Sequence, residues 1–452
     1  MPKISIIVPV YNVENYVGQC LESLVRQTMS ELEIICINDG STDSSLSILK
    51  EYASKDRRIR LIDKKNEGYG KTMNRGLSEA RAPYIGIVES DDFVKPDMFE
   101  KLYEAMREQP VDLIKCNFYR YTVAGGENIP YSREYPEDIY GKIIEPLDYP
   151  AVYSANSSIW AALYQKQFLD DHYIRFNETP GAAYQDISFH FKVLSSAKKM
   201  KIIEDALLYY RSDNLMSSVY SPLKIYCVCD EIHEIENYIR TQDEKRQEKL
   251  WPLLTKRKYY DYMWTYNRLA PVFQYAFYEK MTAEFKEDYA AGKFEAVMWR
   301  TSYDKENLEQ MLKDPFTHFM NTSKRDRDDR IKRVNIRNAQ FAETGFWSMV
   351  QGEEKLTIYG AGKVGRHVAQ SLTAHGIEKE KLLFAVTDRE SVQEEIDGIR
   401  VKQIDALVES RKDRLILLSV KGEKQIAMLN HLVHLGSTNI IVADEEVLSY
   451  LK

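Results

Sequence analysis

Residues 1–120 alternate short apolar runs with helical patterns, and almost every apolar run is followed at once by unusually polar residues. The run Ile4–Val10 gives way to Val13, Val17, Leu21, Leu24 and Val25 at helical spacing, which reads as a strand and then a helix. The pattern continues with a strand over Leu32–Ile37, a helix after the caps Thr42 and Asp43, a run over Ile59–Ile62, a helix near Lys71–Ala80 and a strand over Tyr84–Val88. Such alternation predicts a mostly parallel sheet covered by helices on both faces. Sheets of this kind bind ligands in the crevice beyond the carboxyl ends of their strands. There the chain carries Pro9-Val10-Tyr11-Asn12, Asn38-Asp39-Gly40-Ser41-Thr42-Asp43 and Glu89-Ser90-Asp91-Asp92.

Beyond this region the pattern changes twice. From about Ile225 to Arg330 the chain is rich in Glu, Lys, Tyr and Trp, with helical apolar spacing and almost no glycine, which predicts a helical segment. The run Lys324–Arg337 holds seven basic and three acidic residues and fits a solvated helix or linker better than a patch for an anionic membrane. At Lys355 the strand–helix alternation resumes with LTIYG, LLFAVTD, LILLSV and NIIVAD. The expected domains are therefore 1–224, 225–333 and 334–452, a division that a chain of 452 residues can support with separate cores.

Composition removes several function classes. A formal charge of −7 gives no global pull toward nucleic acid. No window approaches a membrane-spanning length of apolar residues, and the start, MPKISIIVPVYN, enters strand-like sequence without a secretory leader. Five scattered cysteines, with Cys227 and Cys229 too closely spaced for a usual zinc pair, fit free thiols in a reducing cytoplasm.

The cluster Glu89-Ser90-Asp91-Asp92 places three carboxylates within four residues, and these repel one another unless a cation or ordered donors offset them. A divalent ion with a preference for oxygen ligands, Mg²⁺ or Mn²⁺, would do so and could then grip a diphosphate. Helix capping ahead of Pro96 is the alternative reading. Asp39 is similarly open: it can accept a hydrogen bond from a base N–H, or serve as a turn residue before Gly40.

Taken together, IIVPVYNVENYVGQCLESLVRQT, INDGSTDSS, NEGYGKTMNRGLSEA and GIVESDD resemble, in order and spacing, the family 2 inverting glycosyltransferases of the nucleotide-sugar-binding GT-A fold. The resemblance covers residues 3 to 110 and continues more weakly to about 220. It implies that Pro9, Tyr11 and Asn12 line the nucleotide base, that Asp39 reads its imide N–H as in members using UDP-sugars, that Asp91 contacts the ribose and that Asp92 holds the metal. Glu89 stands where the family usually has Asp. Lys71 is implied as a counter-charge to the phosphates and Asn74 as a hydrogen-bonding partner nearby. The stretch Ala183-Tyr184-Gln185-Asp186-Ile187-Ser188-Phe189 resembles the family's Glu-Asp motif, which makes Asp186 the base that deprotonates the acceptor hydroxyl, with Gln185 replacing the usual Glu. By the same resemblance Trp160 would stack on an acceptor sugar, against the plain alternative of a core residue, and Arg211 or Ser217 would touch the diphosphate.

The last domain carries Tyr359-Gly360-Ala361-Gly362-Lys363-Val364-Gly365 between a strand and a helix, with Asp388 ending the next strand. This is the dinucleotide-binding pattern in its proper context, and the expectation is a Rossmann-like domain with a second nucleotide site at Gly360, Gly362, Gly365 and Asp388. Glycines that only allow tight packing are the alternative. The whole reads as a metal-dependent, inverting transferase that moves a sugar from a nucleotide-diphosphate donor, a UDP-sugar first, to a hydroxyl of a glycan or lipid-linked acceptor in surface polysaccharide synthesis. The competing reading is a non-catalytic nucleotide-sugar-binding protein. Expected partners are the donor and the acceptor and no nucleic acid. The expected location is cytoplasmic, with peripheral contact at the inner face of the membrane and self-association left open.

Overall fold

A computed structural model describes residues 1–122, 131–132, 134–182, 184–212, 214, 225–269, 271–322, 343–387, 393–408, 415–421, 423–435, 437 and 439–451. The chain forms two compact units, one of residues 1–265 with 287–300 and the other of residues 266–286 with 301–452. The basic run at 324–337 lies outside the described residues.

In the first unit the strands are β1 (Ile4–Val10), β2 (Leu32–Asp39), β3 (Ile59–Lys64), β4 (Tyr84–Ile87), β5 (Phe93–Val94), β6 (Leu113–Tyr121), β7 (Tyr131–Ser132), β8 (Ile143–Ile144), β9 (Ala162–Gln165) and β10 (Met200–Arg211). They lie in the order β3-β2-β1-β4-β9-β6-β10-β5, with β7 beside β6 and β8 beside β10. Every residue of β1 and β2 is buried, as expected of central strands covered on both faces. The β1–β4 ladders are parallel, with Ile4 opposite both Leu32 and Tyr84. The sheet then turns mixed, because β9 runs antiparallel to both β4 and β6, and β5 antiparallel to β10. That half was not legible from periodicity, since the stretch from β7 to β9 connects through short 3₁₀ turns at Glu137–Ile139, Pro146–Asp148 and Pro150–Ser154 and, among the described residues, has no crossover helix.

Helices α1 (Val17–Val25), α2 (Ser45–Lys55), α3 (Tyr69–Glu79), α4 (Met98–Glu108), α5 (Lys166–Asp171) and α6 (Gln185–Ser196) join these strands, and α7 (Cys227–Arg240) follows. Next come α8 (Glu244–Arg268), α9 (Pro271–Ala290) and α10 (Ser302–Lys313). The helical segment expected at 225–333 is thus divided: α7 and α8 as far as Thr265 belong to the first unit. The reason is packing, since the stripe Val228, Ile232, Ile235 and Ile239 on α7 is buried and α7 lies against α6.

The second unit contains α11 (Glu343–Gly352), β11 (Leu356–Tyr359), α12 (Lys363–Ala374), β12 (Leu382–Val386), β13 (Glu395–Ile396), β14 (Ile399–Gln403), α13 (Asp405–Val408), β15 (Ile416–Leu418), α14 (Glu423–His434), β16 (Ile440–Val442) and α15 (Glu445–Tyr450). Its sheet runs β13-β14-β12-β11-β15-β16, parallel except for the β13–β14 hairpin. Ile358, Phe384 and Leu417 pack in one core, while Tyr359, Ala385 and Leu418 pack in another, so alternate strand residues cover opposite faces of the sheet. No described helix is long and apolar enough to cross a membrane.

Candidate functional site

The parallel register of β1, β2 and β3 brings Val10, Asn38 and Asp63 level at one edge of the sheet. Side chains there staple the loop after β1 to the loop after β2. Asn12, left-handed at φ 52°, donates its N–H to Ser41 Oγ at 3.1 Å and accepts from the Thr42 N–H at 2.8 Å. Asp43, expected as a cap, stands one residue before the N-cap Ser44 and accepts from the N–H groups of Glu14 at 3.0 Å and Ser45 at 2.9 Å, so it ties the loop after β1 to the start of α2. Pro9 is buried beneath, and Tyr11 is 49% exposed at the mouth.

Asp39 is buried at the end of β2 and accepts from the backbone N–H of Glu67 at 2.9 Å, from that of Gly68 at 3.0 Å, and from Lys64 Nζ. A carboxylate has about four acceptor positions, and these three donors leave one on Oδ2. One further N–H, such as that of a base imide, is what the group can still accept.

The acidic segment between β4 and β5 is held from behind by Arg211 at the end of β10. Its backbone N–H donates to Asp92 Oδ1 at 2.8 Å, and its Nε donates to the Asp91 carbonyl at 2.8 Å. The guanidinium also reaches Gln19 and stacks 4.9 Å from the ring centres of both Tyr16 and Tyr121. Arg211, expected at the diphosphate, is therefore committed to fixing the acidic segment, and Ser217 lies outside the described residues. Asn214 donates to Asp91 Oδ2 at 2.7 Å. Burial, with the neighbouring Asp91 and Glu89 charges, pushes the Asp92 carboxyl well above its ordinary range. Burial likewise lifts Glu89 to about 8, opposed by a 2.5 Å hydrogen bond from Tyr69.

Asp92 Oδ2 is buried and has no hydrogen-bond partner among the described residues. Such an orphaned oxygen fits a divalent cation. No group of three or more His, Cys, Asp or Glu able to hold a metal occurs among the described residues. An ion here would take the rest of its shell from substrate oxygens and water, the habit of Mg²⁺ at phosphate sites.

Asp186 sits in the first turn of α6, just after Tyr184, a non-glycine residue held left-handed at φ 64°. Burial raises its carboxyl to about 6, Arg257 pulling it down and Asp261 pushing it up. The carboxyl of Asp186 adds to the upward shifts of Tyr69 and Glu89, and the Tyr210 hydroxyl is pushed up first by burial and then by Asp92, Asp91 and Asp186 together. One side chain therefore feels both the acidic segment and the base candidate, although they lie far apart in sequence. One helical turn beyond Asp186, His190 is buried with neither ring nitrogen hydrogen-bonded among the described residues, and burial holds it well below its ordinary pKa.

Other expected residues fall differently. Lys71 is exposed in the first turn of α3, a place open to an anionic ligand and equally that of a solvated lysine at a helix start. Asn74 is structural: its amide donates to the Phe176 carbonyl at 2.9 Å and accepts from the Phe176 N–H at 2.8 Å. Trp160, expected to stack on an acceptor sugar, is only 8% exposed, stacked on Tyr210 at 5.1 Å and edge-on to Phe118 at 4.6 Å, so it is a core residue. In the second unit a side chain on Gly360 would lie 2.9 Å from the Ser419 carbonyl, and one on Gly365 1.7 Å from the Gly360 carbonyl, so packing requires both glycines. Gly362 at the start of α12 faces open space, and Asp388 lies outside the described residues.

Four residues next to the site were missed: Tyr69, Glu231, Arg257 and Asp261. For Glu231 a signal existed, because Val228, Ile232 and Ile235 place this carboxylate on the buried stripe of α7. Arg257, with Nη2 2.7 Å from Ser157 Oγ and Nη1 3.2 Å from the Tyr153 carbonyl, gave no comparable signal in a helix crowded with charges.

Residues 5–168 match the profile of Glycosyl transferase family 2. The uncharacterized glycosyltransferase EpsJ of Bacillus subtilis is 33% identical over 225 residues, 49% of this chain and 65% of that protein. Glycosyltransferase GlyA of Streptococcus pneumoniae is 31% identical over 241 residues, 51% of this chain and 34% of that one. A poly(ribitol-phosphate) beta-glucosyltransferase of Bacillus spizizenii is 30% identical over 276 residues, 59% of this chain and 41% of the relative. The chain thus spans less than two thirds of the length of these relatives. The crystal structure of S. aureus TarS 1–349 in complex with UDP-GlcNAc aligns over 69% of this chain and 91% of that one at 20% identity, with a TM-score of 0.49.

Proposed function

We propose that the chain, whose residues 5–168 match the family 2 glycosyltransferase profile, transfers a sugar, with inversion, from a nucleotide-diphosphate donor to a hydroxyl of a glycan or lipid-linked acceptor. A UDP-sugar is the donor favoured, because Asp39 keeps one acceptor position for an imide N–H. The observation that carries the reading is Asp186, a carboxyl raised to about 6 and felt by the same Tyr210 hydroxyl as Asp91 and Asp92. A base poised near neutral pH is what deprotonation of an alcohol calls for.

In this mechanism Asp186 takes the proton of the acceptor hydroxyl as its oxygen bonds to the anomeric carbon. The carbon–oxygen bond to the diphosphate breaks on the opposite face, and its electron pair leaves with the nucleotide diphosphate. Asp91 orients the ribose, and Lys71 faces the phosphates. Asp92 would hold a Mg²⁺ or Mn²⁺ ion, which when bound supplies neutralisation of the leaving diphosphate. The second unit is read as a Rossmann-like domain that takes a nucleotide at Gly362, the one glycine of its motif that packing leaves unexplained.

The test is a screen of UDP-, GDP- and TDP-sugars with glycan acceptors, reading nucleotide diphosphate release with and without Mn²⁺ and the anomeric configuration of the product by NMR. Inverted product from a UDP-sugar is expected. Retained configuration would overturn the base role of Asp186, and neither release nor binding of any nucleotide would overturn the transferase reading.

A further inference from the structure

Glu231 on α7 is fully buried and lies outside the residues that match the family profile. A buried carboxyl must find partners, and those of Glu231 surround the first turn of α6. Its Oε2 accepts from the Ser188 hydroxyl, while its Oε1 takes the Asn177 amide at 3.1 Å and the Thr179 hydroxyl at 3.4 Å. The Thr179 oxygen accepts in turn from Gln185 Nε2 at 2.9 Å, and the same amide donates to the Gly181 carbonyl at 3.1 Å. Gln185 and Ser188 bracket Asp186 on α6. The contacts therefore close a ring, from Gln185 through Thr179 and Glu231 to Ser188, around the turn that carries the base.

The chemistry of each node fixes its neighbours. The hydrogen of Thr179 Oγ1 goes to Glu231, so that oxygen can only accept from position 185, and the Gln185 amide also donates to the carbonyls of Gly181 and, at 3.4 Å, Thr179. An amide satisfies both, and a carboxylate satisfies neither. A carboxyl at 231 and an amide at 185 are thus complementary, whereas acids at both positions would set acceptor against acceptor.

We propose that Gln185 and Glu231 form one unit that fixes the first turn of α6, which makes Glu231 a positioning residue for transfer. This rests on the reading of Asp186 as the base. Burial, with the Asp186 charge adding, lifts Glu231 to about 8, so at neutral pH it keeps its proton and brings no negative charge to the base. Glutamine is the neutral analogue of that form: its oxygen accepts from Asn177 and Thr179, and its amide donates to Ser188 Oγ, reversing the bond that Ser188 donates to Glu231.

The experiment compares full-length wild type with Glu231→Gln, Glu231→Ala, Gln185→Glu and the double variant Gln185→Glu/Glu231→Ala. It reads turnover by UDP release, UDP affinity by calorimetry and the thermal unfolding temperature. Glu231→Gln is expected within about three-fold of wild type, as a neutral isostere that keeps every contact. Glu231→Ala and Gln185→Glu should each lower kcat by roughly 10- to 100-fold, the effect of a slightly misplaced catalytic group, with UDP affinity changed less than about two-fold. Because both belong to one ring, the double variant should be no worse than the weaker single. Wild-type turnover in Glu231→Ala, or losses that multiply in the double variant, would overturn the proposal. Should Glu231→Ala not fold, the comparison of Glu231→Gln with Gln185→Glu decides, since equal turnover in the two overturns it. If wild type releases UDP from no donor, the transferase reading fails instead. The ring is then judged by unfolding temperatures, where non-additive shifts uphold it and additive shifts overturn it.

Discussion

Gly70→Ala tests whether the donor side and the base side are built as one structure. Gly70 is the second residue of α3, and alanine there gains up to about 1 kcal/mol of helix propensity. Against this, its methyl carbon would stand 1.9 Å from the Asn177 carbonyl oxygen and 2.9 Å from the carbonyl carbon. Both atoms are backbone, so the 177–178 segment must recede by at least about 1 Å, and overpacking of this kind costs roughly 1–3 kcal/mol. The shift also strains the paired hydrogen bonds of Asn74 with Phe176 and the 3.0 Å bond from the Tyr69 N–H to the Gly181 carbonyl, each worth about 0.5–1.5 kcal/mol net. The clash wins, with a net loss of roughly 1–4 kcal/mol. Amide hydrogen exchange is the assay, because it reads α3 and residues 177–181 locally instead of assigning one unfolding free energy to a chain of two units. Exchange should accelerate in both segments and turnover should fall, since Gln185 beside the base hangs from Thr179 and Gly181. Slower exchange with full turnover would show that propensity dominates and that the two loops are not coupled.

Asp92→Asn should separate stability from activity. The folded form holds this proton more tightly than the unfolded one, so the group costs stability as pH rises above the ordinary carboxylate range. The variant should unfold at an equal or higher temperature at pH 7 yet lose metal-dependent donor binding, and undiminished wild-type turnover in EDTA would contradict the metal role. For the wild type, kcat should rise with pH through about 6 as Asp186 loses its proton, a limb to be measured in a pH series at saturating donor. His190→Leu should flatten the acid side of the stability profile: the buried ring stays neutral while the unfolded one protonates below about 6.5, so wild-type stability falls there, and a profile unchanged by the substitution refutes this.

Much of the first unit was legible because its strands are buried on both faces and end in polar residues, which exposes both period and site. Asp39 ends β2, Asp91 and Asp92 lie between β4 and β5, and Asp186 is in the first turn of α6; topology marks these positions, while the roles expected of them come from the family resemblance. What the sequence hid was set by contacts between distant segments. Arg211 looked like a phosphate ligand until its guanidinium met Asp91, Gln19, Tyr16 and Tyr121. Trp160 looked like a platform until Tyr210 covered its face. Glu231 and Arg257 belong to helices that the sequence predicted only as a helical segment rich in charge, and packing against α6 and residues 153–157 is what turns them inward.

The most direct measurement is Asp186→Asn compared with wild type in single-turnover UDP release, beside calorimetric UDP affinity on the same samples. Asparagine keeps the size of the side chain and removes only its ability to take the proton. UDP affinity should stay within about two-fold while the rate falls by roughly 10² to 10⁴, the usual worth of a positioned general base. Parallel loss of affinity and rate, or a variant that turns over at the wild-type rate, would contradict the base role.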